Sequence, residues 1–236
     1  MTFKHALDTE LEEILEKDPA RPMWLEVSYD SVYDYFFKEG GTHESFKQRL
    51  RYWTSEGVYM CFGKAYTDMH LLRYILTLSD QGKINNYFIE AGANNGVLQS
   101  NTCLLEWGLG WEGVLIEPSK FNAAFCTLYR SNSQVWNCAL VSDDYKELHI
   151  AGTWDDCVLE NRSMNNGLGS GCTVEHLSSN PEFISSVPAK TLTAVLEESN
   201  APKDIGVLSL DVEGYEMEAL LGLDFNKFQP KLILLE

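Results

Sequence analysis

Short apolar runs alternate with stretches of helical periodicity along the second half of the chain. The apolar runs predict buried strands at 87–89, 111–117, 135–141, 205–211 and 231–235, with a short additional strand at 146–150. Apolar residues three or four positions apart predict helices at 100–107, 121–129 and 191–199, and one that carries Met217, Leu220 and Leu221. Strands that alternate with helices form parallel sheets, so the pattern predicts an α/β fold with a doubly wound, mostly parallel sheet.

The first 80 residues follow a different pattern, with helical periodicity and many aromatic side chains. Helices are predicted at 2–17, from Thr42 through Trp53, and at 68–79. Residues 23–66 are rich in Tyr, Phe and Trp, which can pack on the main sheet or form a platform that stacks on sugars. We interpret residues 1–80 as a helical, aromatic-rich cap that packs on the main domain, and residues 81–236 as that domain.

One long segment of the main domain has no periodicity. Residues 152–187 are rich in Gly, Ser and Asn, especially between positions 165 and 171. A loop of this length inside a compact domain is usually functional or mobile. We therefore predict that it acts as a lid or as an insertion that selects the substrate.

Charge and cysteine content indicate which classes of partner and which cellular compartment to expect. The 236-residue chain carries 18 Lys and Arg against 35 Asp and Glu, a formal net charge of −17 that repels a phosphate backbone, so no nucleic-acid partner is expected. The six cysteines form no Cys-x-x-Cys pair, which predicts reduced thiols in a cytosolic protein rather than disulfides or a zinc site. Neither a leader-peptide pattern nor a long apolar run occurs, so we expect a cytoplasmic protein without a membrane partner.

The candidate chemistry centres on the turn after strand 87–89. Glu90, Gly92 and Gly96 follow a Glu-x-Gly-x-x-x-Gly pattern, and a glycine at position 92 lets the backbone pass close to a ligand. Dinucleotide phosphates prefer bare backbone N–H groups at a helix N-terminus, whereas an acidic residue at a strand end suits a cationic ligand. S-adenosylmethionine carries a sulfonium and an ammonium group and no phosphate, so it is favoured over NAD. An ordinary glycine-containing turn is the alternative.

Three further positions could contact such a cofactor. Glu117 ends the next strand, 21 residues after Gly96, where an acidic side chain can bind a ribose diol. Ala139, near the end of strand 135–141, could flank the adenine ring. Asp68 lies in the first turn of helix 68–79, where it could close over the cofactor or serve only as a helix-start residue.

Four motifs occur in order along the main domain. They are Phe-Ile-Glu-Ala-Gly-Ala-Asn-Asn-Gly at 88–96, Ser-Asn-Thr at 100–102, Gly-Trp-Glu-Gly-Val-Leu-Ile-Glu-Pro at 110–118 and Ser-Leu-Asp-Val-Glu-Gly-Tyr-Glu at 209–216. Over roughly residues 64–236 the chain resembles the FkbM family of S-adenosylmethionine-dependent methyltransferases. The resemblance implies the Rossmann-like class I methyltransferase fold. It also implies an O-methyltransferase that acts on a hydroxyl group of a sugar, a glycan or a related natural product.

The resemblance implies a set of cofactor-binding residues. Glu90, Gly92 and Asn94 are expected to line the methionine end of the cofactor. Ser100 and Asn101 match the Ser-Asn-Thr signature, which supports either the loop or the amino acid moiety of the cofactor. The complete predicted set is Asp68, Glu90, Gly92, Asn94, Gly96, Ser100, Asn101, Glu117 and Ala139.

Asp211 and Glu213 match the acidic pair of the fourth motif, at a strand tip that would face both methyl donor and acceptor. A hydroxyl group is a poor nucleophile at neutral pH, so a base or a metal ion should assist it. We predict that one of these two carboxylates orients and deprotonates the acceptor. Mg²⁺ held between Asp211 and Glu236 is a second option, because oxygen ligands suit this ion. His176, in the long insertion, is not assigned to the site.

The end of the chain leaves two questions open. A class I methyltransferase sheet normally finishes with an antiparallel pair of strands, which this chain lacks after Glu236. The N-terminal helices, a second subunit in a homodimer, or further residues of a longer protein could cover that sheet edge. A non-catalytic cofactor- or glycan-binding domain of a larger glycan-biosynthesis protein is the alternative function, because fold alone does not grant activity. A dinucleotide-dependent oxidoreductase is the third option.

Overall fold

The computed structural model describes residues 23–26, 43–55, 58–63, 67–152, 154 and 185–235. The strands are β1 (Met23–Glu26), β2 (Val58–Cys61), β3 (Tyr87–Ala91), β4 (Glu112–Ile116), β5 (Ser133–Trp136), β6 (Ala139–Leu140), β7 (His149–Gly152), β8 (Ser185–Lys190), β9 (Asp204–Leu210) and β10 (Gln229–Leu235). The helices are α1 (His43–Ser55), α2 (Thr67–Asp80), α3 (Cys103–Trp107), α4 (Lys120–Tyr129), α5 (Leu192–Glu198) and α6 (Glu216–Leu221).

Five parallel strands form the central sheet, in the order β10-β9-β3-β4-β5. From β3 the chain runs outward to β4 and β5, and it later returns on the other side of β3 to form β9 and β10. The strand order therefore reverses between β3 and β9, the position at which open α/β sheets bind their ligands. The predicted α/β fold with a mostly parallel sheet is confirmed.

The two faces of the sheet are buried separately, because successive side chains of a strand point to opposite faces. On β3, Phe88 packs in a cluster with α1, α2 and α3, whereas Ile89 packs in a cluster with α5 and α6. Both residues are completely buried. A fully parallel sheet with apolar runs covered on both faces accounts for the continuous apolar stretches in the sequence.

Most predicted elements of the main domain agree with the structure to within two residues at each end. The predicted strand 135–141 is wrong as a single element, since β5 ends at Trp136 and β6 belongs to a separate sheet of order β6-β8-β7. Asn137 lies at the break, where its Nδ2 donates to the carbonyl oxygens of Glu117 at 2.9 Å and Pro118 at 2.8 Å. The predicted helix at 100–107 begins only at Cys103.

Three strands were not predicted. β8 contains Pro188 and has no clear alternation, yet it pairs antiparallel with β7, so that Gly152 lies opposite Ser185. In the N-terminal region, β1 and β2 form a parallel pair beside the predicted helices α1 and α2. The predicted helix 2–17 and most of the insertion 152–187 lie outside the described residues. The boundary between cap and main domain stays a prediction. No helix in the described part of the chain is long and apolar enough to span a bilayer.

Candidate functional site

The turns that follow β3 and β9 touch each other at the reversal point of the sheet. The backbone N–H of Asp211 donates to the Ala91 carbonyl at 3.0 Å. Gly92 has a φ of +80°, and a Cβ added there would overlap the Asp211 carbonyl oxygen. The close approach predicted for Gly92 is thus made by the neighbouring strand end. This contact joins the first and fourth motifs at one point.

Residues 92–102, which we call the glycine turn, have an unusual backbone. Positive φ angles occur at Gly92, Asn94, Gly96 and Gln99, with values of 80°, 48°, 82° and 59°. Gly96 lies against α4 and its end, because a Cβ there would be 3.1 Å from Arg130 Cγ and 3.2 Å from Cys126 Cα. Gly96 therefore serves packing of the turn on α4, in addition to any contact with a ligand.

Glu117 holds the glycine turn against the end of β4. Its Oε2 accepts the backbone N–H of Asn94 at 2.8 Å, and its Oε1 accepts that of Ser119 at 2.8 Å. The side chain is 6% exposed. The structure therefore brings together Glu117 and Asn94, two of the predicted cofactor-binding residues. A carboxylate has further acceptor sites beyond these two bonds and can still accept from a diol.

Glu90 lies inside the protein, beneath the glycine turn. Its Oε2 accepts from the Ser100 hydroxyl at 2.8 Å and the Thr102 hydroxyl at 2.6 Å, and its Oε1 accepts the Asn101 N–H at 2.6 Å. Glu90 and Ser100 thus bind each other and support the loop. A direct contact of Glu90 with the cofactor stays a prediction.

A buried arginine that the sequence analysis missed binds the same cluster. Arg130 Nη1 donates to the Gly96 carbonyl at 2.7 Å, Nη2 donates to Thr102 Oγ1 at 2.9 Å, and Nε donates to Glu106 Oε2 at 2.8 Å. Burial by itself lowers the pKa of Arg130, but the acidic groups beside it, Cys103 with Glu106 and Glu90, raise that pKa above its ordinary value. Arg130 follows α4 without any local pattern, so nothing in the sequence indicated these long-range contacts.

Asp68 and Asn101 both pack against Gly63. Asp68 Oδ2 accepts the Phe62 N–H at 2.6 Å, and Asn101 Nδ2 donates to Ser209 Oγ at 3.2 Å. Among the described residues, the buried Asn101 Oδ1 has no hydrogen-bond partner. A Cβ added at Gly63 would lie 2.8 Å from Asn101 Oδ1 and 3.0 Å from Asp68 Oδ1. Gly63 thus packs directly against both side chains, and Asp68 Oδ1 already accepts the Met69 N–H at 2.9 Å. The unpartnered Asn101 Oδ1 is the acceptor that fits a donor such as an ammonium group.

The predicted acidic pair lies in the turn after β9. Asp211 and Glu213 are both partly exposed, and Glu213 has a φ of +55°. Glu216, in the first turn of α6, supports this turn because its Oε1 accepts the N–H groups of Val212 at 3.1 Å and Gly214 at 3.0 Å. The acidic pair therefore follows directly on the backbone contact with Gly92.

Ala139 does not end the strand to which it was assigned. It belongs to β6, where it packs with Val141, Ile150 and Val187. The physical reason is the break at Asn137, which directs the chain out of the central sheet. Contact of Ala139 with an adenine ring stays a prediction.

The described residues give no support for a metal ion. No group of three or more His, Cys, Asp and Glu side chains within them could hold one. Glu236 and His176 lie outside the described residues. Four cysteines in the described part, Cys61, Cys103, Cys126 and Cys138, are buried free thiols, and burial raises the pKa of Cys138 to about 12.

A comparison with known families matches the part of the chain that carries the glycine turn and the acidic pair. The family model described as the methyltransferase FkbM domain matches residues 90–236, which is more than half of the chain. The match begins at Glu90 and includes the glycine turn, Glu117 and the acidic pair. Searches of curated proteins and of solved structures each gave no match.

Proposed function

Because the chain belongs to the FkbM methyltransferase family, we propose that it is an S-adenosylmethionine-dependent O-methyltransferase. The proposed acceptor is a hydroxyl group of a sugar, a glycan or a related natural product. The observation that carries the proposal is the contact of Gly92 with Asp211, which joins the cofactor-binding motif to the acidic pair. Membership of the family supports methyl transfer, and the acidic pair supports oxygen as the acceptor atom.

The residues at the carboxyl ends of β3 and β4 fit the cofactor. When bound, S-adenosylmethionine supplies an electrophilic methyl group on a sulfonium. Glu117 would accept from the ribose hydroxyls while its two backbone bonds fix the direction of the carboxylate. The buried Asn101 Oδ1, which has no hydrogen-bond partner among the described residues, would accept from the ammonium group. The glycine turn would cover the methionine portion.

The acidic pair would act on the acceptor. Methyl transfer is an in-line displacement, so holding the acceptor oxygen close and aligned supplies much of the rate. Asp211 or Glu213 would accept a hydrogen bond from the acceptor hydroxyl and take its proton as the oxygen attacks. Their partial exposure leaves room for an acceptor to approach. No step in this scheme uses a metal ion.

The first experiment is a calorimetric titration of the purified chain with S-adenosylhomocysteine, with NAD as the control ligand. We expect saturable binding of S-adenosylhomocysteine and none of NAD. The opposite result would turn the assignment toward a dinucleotide-dependent oxidoreductase and would overturn the proposal.

A methyl-transfer screen then tests the reaction, using radiolabelled S-adenosylmethionine with nucleotide-activated sugars, polymeric glycans and polyketides. We expect labelled product from at least one class of hydroxyl acceptor. Binding of S-adenosylhomocysteine without transfer to any member of the panel would favour a non-catalytic binding domain instead.

A further inference from the structure

We propose that Arg130 is a positioning residue, which holds the glycine turn in the conformation that binds the cofactor without touching the cofactor itself. This inference rests on the proposed function, because it names what orders that same site. It assigns a role to a residue that none of the four sequence motifs contains.

The glycine turn has little backbone structure to hold its shape. Within it, the backbone bonds are Gly96 N–H to the Ala93 carbonyl at 2.8 Å and a long one from Ser100 N–H to the Val97 carbonyl at 3.4 Å. Asn94 and Gln99 also adopt positive φ without being glycine. Such conformations carry strain and persist only when the surrounding structure holds them. Asn95 Oδ1 accepts the N–H groups of Val97 at 3.0 Å and Leu98 at 2.9 Å, and the N–H groups of Gly92 and Ala93 donate to the Ile116 carbonyl. The part of the turn from Gly96 to Thr102 depends in addition on side chains from outside it.

Arg130 donates hydrogen bonds to the middle and to the end of the glycine turn. One nitrogen, Nη1, donates to the Gly96 carbonyl at 2.7 Å and to Ser100 Oγ at 3.1 Å. The other, Nη2, donates to Thr102 Oγ1 at 2.9 Å. The planar fork serves these three acceptors with Nη1 and Nη2 in fixed directions while Nε binds Glu106. The ammonium group of a lysine carries all its donors on one nitrogen and does not reproduce this arrangement.

The charge of Arg130 is balanced by two glutamates, of which Glu90 lies beneath the glycine turn and Glu106 lies in α3. Its side chain is 0% exposed, Nε is 2.8 Å from Glu106 Oε2, and Nη1 is 3.6 Å from Glu90 Oε2. Glu106 also accepts the Asn132 N–H at 3.1 Å. Glu106 thus fixes the guanidinium from behind, while the two Nη nitrogens face the turn. The ion pair of Arg130 with Glu106 can therefore be removed without removing the contacts of Arg130 with the turn.

Loss of the contacts between Arg130 and the glycine turn should weaken cofactor binding, because fewer molecules then hold the turn in its binding conformation. When only a fraction of molecules has the competent turn, the apparent dissociation constant rises by the inverse of that fraction. Replacing Arg130 by lysine keeps the charge and removes the fork. We expect about a tenfold weaker affinity for S-adenosylhomocysteine in R130K, since tenfold corresponds to the loss of one or two such bonds.

The test compares R130K with the matched variant E106Q, and uses Arg130→Met as the more severe change. E106Q weakens the same buried ion pair but leaves the contacts of Arg130 with Gly96, Ser100 and Thr102. R130K and E106Q should each unfold at a lower temperature than the wild type. We expect weaker S-adenosylhomocysteine binding only in the Arg130 variants, measured well below each unfolding temperature. Unchanged affinity in R130K, or equal weakening in E106Q, would overturn the proposal.

Amide hydrogen exchange gives a readout that does not need the cofactor. The N–H groups of Asn101 and Cys103 donate to Glu90 and to Ser100 Oγ, so they should exchange slowly in the wild type. R130K should speed their exchange while leaving β9 and β10 unchanged, and E106Q should affect them less. If the wild type fails to bind S-adenosylhomocysteine, the proposed function fails, and this exchange pattern alone decides the role of Arg130. Equal exchange rates of these N–H groups in R130K and in the wild type would exclude the proposed role of Arg130.

Discussion

The turns after β3 and β9 lie against each other, yet they are held in different ways. The glycine turn is fixed by buried side chains, with Glu90 3% exposed and Arg130 1% exposed. The turn after β9 is supported by the partly exposed Glu216 and leaves Asp211 partly exposed. A surface that binds a cofactor gains affinity when it is ordered before binding. Carboxylates that exchange protons with an acceptor must remain accessible.

The largest expected effect comes from removing the contact that joins the two turns. Gly92→Ala would place a Cβ on the Asp211 carbonyl and would force alanine into positive φ, at a combined cost of about 2–6 kcal/mol in the free energy of unfolding. Urea denaturation measures this cost. Gly82→Ala is the matched control, because Gly82 has a φ of +63° and nothing lies within 4 Å of its added Cβ. If both variants lose the same stability, the contact with Asp211 has no special role.

The next effect separates binding from reaction. We expect Asp211→Asn to lower kcat by about 10²- to 10⁴-fold, the range for loss of a general base, while the affinity for S-adenosylhomocysteine changes little. Single-turnover kinetics and calorimetry measure the two quantities. Full activity in Asp211→Asn, together with a large loss in Glu213→Gln, would transfer the role of base to Glu213.

A smaller effect is expected from loosening the turn after β9. Glu216→Ala removes the acceptor of the Val212 and Gly214 N–H groups and should cost about 1 kcal/mol of stability. It should also lower kcat without weakening S-adenosylhomocysteine binding. Glu218→Ala, in the same turn of α6, is the control. Weaker cofactor binding in Glu216→Ala would show that the two turns are not independent.

The smallest effect is a pH dependence at Asp68. Burial raises the pKa of Asp68, although backbone N–H groups of Phe62, Gly63 and Met69 lower it. An acid with a raised pKa in the folded state stabilises the fold fully only below its unfolded pKa near 3.8, and this contribution is lost as the pH rises through the folded pKa. The stability of the wild type relative to Asp68→Asn, measured by urea denaturation, should therefore fall as the pH rises above the unfolded pKa near 3.8. A stability difference between the two proteins that does not change with pH would contradict a raised pKa of Asp68.

The sequence was sufficient to predict the central sheet because its signal is local. The apolar runs of β3, β4 and β9 are short and continuous, as expected for strands buried on both faces. The run of β10 also predicts a strand, although this edge strand is partly exposed. The Glu-x-Gly-x-x-x-Gly pattern likewise places the glycine turn correctly after β3.

Long-range bonds decided the features that the sequence did not predict. The strand 135–141 breaks where Asn137 binds carbonyls about 20 residues earlier in the chain. The hydrogen bonds by which Ser100 and Thr102 return to Glu90 were not predicted, while the contact of Glu90 with the cofactor stays a prediction. Arg130 belongs to none of the motifs, and its partners come from β3, the glycine turn and α3. A local pattern describes an element and its exposed face, whereas such contacts exist only after the elements have packed.

The antiparallel pairing of β7 with β8 has a consequence for how this protein can vary. Gly152 lies opposite Ser185, and Trp154 Nε1 donates to the Ser185 carbonyl at 3.0 Å, so the chain is brought back to the same place on both sides of residues 155–184. The entropy cost of closing a loop rises only by about 0.6 kcal/mol for each doubling of its length. A change in the number of residues between Gly152 and Ser185 would therefore add little to the entropy cost of forming the β7–β8 pair.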